Sequence, residues 1–264
     1  RPDCGRRLAA ALACRPDFAA AIGSYDDAPS APGLCSQFKN LMHHYVHQQA
    51  GDNVSTFWTG CGMIRRTVFE EIGGFDDAFW PGSSITDLQL GYALTARGHH
   101  IAMAREAQAT HHKRWTTASL VRTDLLQRAI PWTVLLWRHR GLGRGELNLA
   151  PSARIAVAAT WLAGLMLVLS PLRPEMLAGA VPALAIATTM HATFLAFLRR
   201  RCGLVFAVRA VPLLWLYDAY CGLGFLIGTF CAWTGLRPAP RRVSAPPPAS
   251  VAAASDAAKT PRRD

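Results

Sequence analysis

Apolar and polar positions in SSITDLQLGYALTARG, residues 83–98, repeat with the period of a helix. Ile85, Leu88 and Tyr92 fall at i, i+3 and i+7 and form one apolar face, while Gly98 supplies a stop. Thr86 and Gln89 have the spacing of a capping box, which predicts a helix starting at Thr86. Asp87 then lies in the first turn, where the helix dipole favours a negative charge.

The same kind of pattern divides the rest of the first 150 residues into short elements. Residues 3–15 predict a helix, and AAAIGSYDDAP (19–29) predicts a buried strand ending in a turn. LCSQFKNLMHHYVHQQA (34–50) predicts a helix with Phe38, Leu41 and Tyr45 on one face. Its His43, His44 and His47 have a spacing that suits a metal, but no carboxylate supports them, so they are not read as a metal site. STFWTGCGMIRRTVFEEIGGFDDAFW (55–80) predicts a strand, a helix start and a Gly-Gly turn. Gly60 and Gly62 permit close backbone approach, to a ligand or equally to a buried sheet. A strand follows around residues 100–104.

From Pro151 the pattern changes to long apolar runs. Residues 155–172 hold about 16 consecutive apolar positions, which reach roughly 24 Å as a helix. Residues 176–198 are long enough to span a bilayer with a kink at Pro182. In 204–236, Arg209, Pro212 and Asp218 suggest an interfacial first part, with 219–236 crossing. His191 and Asp218 are ionisable groups within these runs. The nearby threonines 188, 189 and 193 are the expected partners of the first, and Tyr217 and Tyr220 those of the second. Residues 237–264 read as a disordered, basic Pro/Ala-rich tail.

Composition sharpens the membrane reading. The 264 residues are 51% hydrophobic and carry a formal charge of +11. The arginines do not form a stripe with interleaved aromatics, so nucleic acid is not the expected partner. Arg138, Arg140, Arg144 and Arg154 precede the first apolar run and Arg199, Arg200 and Arg201 follow the second, an arrangement suited to anionic lipids and to the positive-inside rule. Three crossings would put the basic tail opposite the first 150 residues, against that rule; a re-entrant or interfacial segment removes the conflict. The seven cysteines show no paired spacing, so neither a zinc ribbon nor a disulfide framework is expected, and the soluble part is read as facing a reducing compartment.

The ordered set TGCGMIRRTVFEEIGGFDDAF, ITDLQLGYALTARG, THHKRW and apolar segments resembles the C-terminal half of a membrane-bound family 2 glycosyltransferase. That resemblance implies an α/β fold: the C-terminal portion of a GT-A, Rossmann-like domain over residues 1–150, followed by two to three transmembrane helices over 151–236. It implies an inverting transfer from a nucleotide-sugar donor to a lipid-linked or polysaccharide acceptor. The setting would be a bacterial inner membrane, with the catalytic part cytoplasmic. Asp87 matches the base that takes the acceptor's proton, and its helix-start position would keep it ionised. Arg114 and Trp115 match the R-W of a Q-x-x-R-W signature near the diphosphate and acceptor. Gly60 and Gly62 match a glycine loop shaping the cleft. His111 stands either for the Gln of that signature or for a histidine ligand of the Mg2+ or Mn2+ that such enzymes use.

The chain departs from the pattern at Thr86, where family members carry Glu, and at His111. RPDCGRRL resembles the sequence that follows the D-x-D metal motif, so the opening residues read as internal to a longer protein, with the nucleotide-binding half outside this chain. The other expectation compatible with these departures is a non-catalytic, membrane-anchored interaction module.

Overall fold

The computed structural model describes residues 2–76, 78–139 and 149–236; the expected tail, Arg140 and Arg144 lie outside them. The soluble part is mixed α/β. Helix α1 (Cys4–Ala13) precedes β1 (Phe18–Tyr25), then α2 (Leu34–Gln49), β2 (Asn53–Val54), β3 (Gly62–Ile64), α3 (Arg66–Glu71), α4 (Thr86–Ala96) and β4 (His100–Ala109). These strands form a four-stranded sheet in the order β2-β4-β1-β3, with β1 and β4 parallel and both outer strands antiparallel to their neighbours. The run FAAAIGSY is apolar because β1 is interior: Ala19 through Ser24 are buried, and Ala21 lies opposite Met63 on one side and Ala102 on the other.

Helix α4 begins and ends where its pattern predicts, but it is held differently. Ile85 occupies the cap position and no side chain caps the helix; Gln89 instead donates to Asp76 Oδ2 at 2.8 Å. The expected Thr86–Gln89 capping box is therefore not formed, because Gln89 is buried and turned toward the preceding turn. Ile85 and Tyr92 are fully buried against Phe79, Trp80 and Ile130, with Leu88 at their edge. Gly98 closes the helix at φ 84°, a left-handed conformation that suits glycine.

After β4 the chain forms one helical rod. It runs through α5 (Thr117–Arg122), a π-helical segment at Thr123–Ala129 and α6 (Ile130–Arg138). Four apolar helices follow: α7 (Pro151–Leu169), α8 (Met176–Met190), α9 (Ala192–Cys202) and α10 (Leu204–Thr234). Helices α7 and α10 are long and apolar enough to cross a membrane. The α8–α9 pair qualifies only as one broken span, bent by 68°. The break falls at His191 rather than Pro182, which sits within an unbroken α8. Residues 204–234 form a single helix instead of an interfacial piece followed by a span.

His191 and Asp218 find each other rather than their neighbours in sequence. His191 Nε2 lies 3.0 Å from Asp218 Oδ2, and Thr160 of α7 donates to the same oxygen at 3.3 Å. This correction follows from the bend, which turns the end of α8 toward α10. Helix α10 meets the rod through small residues: a Cβ on Gly224 would lie 2.4 Å from Ala129 Cβ, and one on Gly228 would lie 2.5 Å from Thr133 Cβ. A G-x-x-x-G face thus brings two backbones together. Helix α2 is joined to the apolar helices as well, since Phe38 and Leu41 share a buried cluster with Leu120, Phe194, Leu198 and Leu214.

Candidate active site

A cavity of about 150 Å3 lies where the sheet, α2, the start of α4, the π segment and α10 converge. Its wall includes Asp87, Lys39, Asp124 and Arg128, with Tyr217 and Cys221 of α10 on the membrane-helix side. Position accounts for the roles of these groups. Asp87 is half-buried, and its Oδ1 accepts the Leu88 backbone N–H at 2.8 Å. Burial raises its carboxyl pKa above the ordinary 3.8, opposed by the Arg128 guanidinium and by backbone hydrogen bonds from Leu88 and Thr59. The expected effect of the helix start is present, but burial outweighs it.

Thr59 opens the TGCGM segment, so the glycine loop reaches Asp87 through its backbone. The glycines themselves serve close packing. A Cβ on Gly60 would lie 2.6 Å from the Trp58 ring, and one on Gly62 would lie 2.6 Å from the Trp58 carbonyl oxygen. They set the position of Trp58, whose indole lines the cavity and packs edge-on to Tyr25 at 4.2 Å.

The other residues expected at the site fall outside the wall. Arg114 is exposed. Trp115 is buried in the cluster beneath α2, its Nε1 donating to Asn40 Oδ1 at 3.2 Å and its backbone N–H to Ser36 Oγ. His111 packs on Tyr25 with ring centres 4.3 Å apart and shares a 2.5 Å hydrogen bond between its Nδ1 and Asn40 Oδ1. Burial, then the positive charge of Lys113 and Arg128, lowers its pKa to about 4.

Among the described residues no three His, Cys, Asp or Glu side chains are grouped to hold a metal ion. A hard divalent cation needs several oxygen ligands, and beside His111 stands the Asn40 amide oxygen, already hydrogen-bonded, with no carboxylate grouped with them. The described residues therefore do not by themselves fit the implied Mg2+ or Mn2+.

Residues without a sequence motif supply most of the wall's charge. Lys39 and Asp124, both buried, form a 2.5 Å ion pair, and Tyr220 of α10 donates to the same carboxylate oxygen at 2.7 Å. Burial alone would raise the Asp124 pKa; Lys39, Arg128 and the Tyr220 hydrogen bond together outweigh it, and the net shift is downward. His43 and His47 also line the cavity. Burial first, then nearby cations, pushes His43 well below 6.5 and His47 to about 4, so both rings are neutral at physiological pH. The buried Lys39, between Phe38 and the pair Asn40–Leu41 in a helix face, was the one sequence signal of this cluster, since a lone cation among core positions demands a partner.

No family model matches the chain, and no solved structure matches it. The O-antigen biosynthesis protein RfbC of Myxococcus xanthus is 30% identical over 88 residues. That match covers 33% of this chain, which spans 6% of the relative's length.

Proposed function

We propose that this chain forms the acceptor-side part of an inverting glycosyltransferase. It would move a sugar from a nucleotide-sugar donor to a lipid-linked or polysaccharide acceptor at a membrane, with a GT-A-type domain facing the cytoplasm. The observation that carries this reading is Asp87, a half-buried carboxylate in the wall of a cavity bounded on one side by a membrane-type helix. The partial similarity to an O-antigen biosynthesis protein supports polysaccharide chemistry.

In the proposed step the acceptor hydroxyl oxygen attacks the anomeric carbon, and its proton passes to the Asp87 carboxylate. The bond from that carbon to the diphosphate oxygen breaks, and the electron pair leaves with the diphosphate. The aromatic faces of Tyr25, Trp58 and Trp132 give the wall apolar surfaces against which a sugar ring can lie. Gly60 and Gly62 support Trp58. Arg114, Trp115 and His111, placed outside the wall, would act from the cavity's surroundings or through Asn40, which binds both Trp115 and His111.

Sugar transfer from labelled nucleotide sugars, measured in membranes carrying the protein, tests the base. Asp87→Asn is expected to lower transfer by roughly 100-fold or more, the scale of losing general-base catalysis. Unchanged transfer would remove Asp87 from that role. Thr86, where the resembling enzymes carry Glu, favours the second reading, a non-catalytic membrane module, for which no nucleotide sugar is a substrate.

A further inference from the structure

We propose that Arg128, on the π-helical segment, is the anchor for a phosphoryl group bound in this cavity. The inference rests on the glycosyltransferase reading for its setting and deepens it by naming the group that the wall holds.

The wall carries two strong cations in different states. Lys39 is committed to Asp124 at 2.5 Å. Arg128 makes no hydrogen bond or ion pair with any described residue, and its Nε is buried without a partner. Asp87 and Asp124 attract it through space, but neither forms an ion pair with it, and Asp124 Oδ2 is held by Lys39 and Tyr220. Arg128 is partly exposed, but its buried Nε–H has lost water without gaining an acceptor, and an anionic oxygen would complete it.

His43 and His47 are neutral and add hydrogen-bonding capacity without adding charge. His47 Nδ1 and Asp124 Oδ1 are also buried without partners, so three of the four such atoms among the described residues belong to residues of this one wall. A guanidinium fork matches phosphate oxygens two at a time, and a protonated or hydroxyl-bearing ligand gives Asp124 a donor. Tyr217 and Cys221 open the wall toward α10, the longest apolar helix, which is the side from which a lipid-borne phosphoryl group would arrive. A nucleotide would bring the same chemistry from the aqueous side.

Binding tests the anchor without requiring turnover. The purified chain in phosphatidylcholine nanodiscs is titrated with polyprenyl phosphate, with unphosphorylated polyprenol, with UDP and with glucuronate, following tryptophan fluorescence, since Trp58 and Trp132 line the cavity. Arg128→Gln is expected to weaken a phosphorylated ligand by roughly 10-fold to 100-fold, the loss of a charged hydrogen-bonding partner. Arg128→Lys retains part of the affinity, and Arg66→Gln, a surface change on α3 away from the wall, retains all of it. Dependence seen with polyprenyl phosphate assigns the lipid source; dependence seen with UDP assigns the nucleotide source. Either result supports the anchor.

If Arg128→Gln does not fold, displacement of the bound phosphorylated ligand from the wild-type chain by pyrophosphate, together with the Arg128→Lys affinity, decides the same point. Binding of both polyprenyl phosphate and UDP that is indifferent to Arg128, or an Arg128 effect confined to glucuronate, overturns the proposal. Transfer unaffected by Asp87→Asn would instead strike the base assignment and leave these binding results standing.

Discussion

Asp87 is pulled in two directions. Burial favours its neutral form, while Arg128 and two backbone hydrogen bonds favour the charged form, with burial prevailing. In the proposed base role Asp87 works only when ionised, so transfer should fall as pH drops through a value above the ordinary aspartate range. Removing the cation with Arg128→Gln should move that acid limb to still higher pH, read from rate profiles of the two proteins. Stability has the opposite sign. A raised folded-state pKa means that ionised Asp87 destabilises the fold at neutral pH and that the cost vanishes below the unfolded-state pKa. Asp87→Asn should therefore raise the unfolding midpoint at pH 7, by an amount that shrinks on acidification, even as it abolishes transfer. The sequence points to Asp87 because a local pattern of helix start and apolar stripe presents it. Arg128 is silent in sequence, and Lys39 signals only that a cation stands among core positions, because their meaning depends on which distant carboxylates and helices meet them, and periodicity does not report that.

At the scale of elements, the junction of α2, the π segment and α10 hangs on a buried ion pair. Lys39→Met leaves Asp124 as an uncompensated charge and should cost about 3–5 kcal/mol, measured by thermal or denaturant unfolding in detergent. Lys39→Met combined with Asp124→Leu should recover most of that loss, because both charges are then removed together. In the glycine loop, Gly62→Ala forces the Trp58 carbonyl to move, since the new Cβ would stand 2.6 Å from it. A loss of roughly 1–3 kcal/mol and an altered tryptophan spectrum are expected. Most helices and the central strand were readable because their apolar periods are strong, as with Ile85, Tyr92 and FAAAIGSY. The cap of α4 and the break at His191 were not. Gln89 had a tertiary partner in Asp76 that overrode a good local motif, and the threonines beside His191 concealed an acceptor 27 positions away.

For the whole molecule, the polar contact of His191 with Asp218 and Thr160 gathers three apolar helices at the bend. Asp218→Ala should loosen α8–α9 from α10 and lower the unfolding midpoint in detergent, while Asp218→Asn, which keeps an acceptor for His191 and Thr160, should lower it less. The larger connection between cavity and membrane is the π segment. A helix turns about 100° per residue, and a π turn holds one residue more than α-helical spacing requires. That residue acts as a phase adjustment between the α5 half of the rod, whose Leu120 packs with Phe38, Phe194 and Leu198, and the α6 half, whose Ile130 packs with Ile85 and Tyr92 and whose Thr133 is seated on Gly228. Deleting one residue there would straighten the rod into ordinary α-helix. Either Arg128 would rotate out of the wall or the glycine seat would be lost, so the alignment of the cavity wall with the apolar helices is tuned by the length of seven residues.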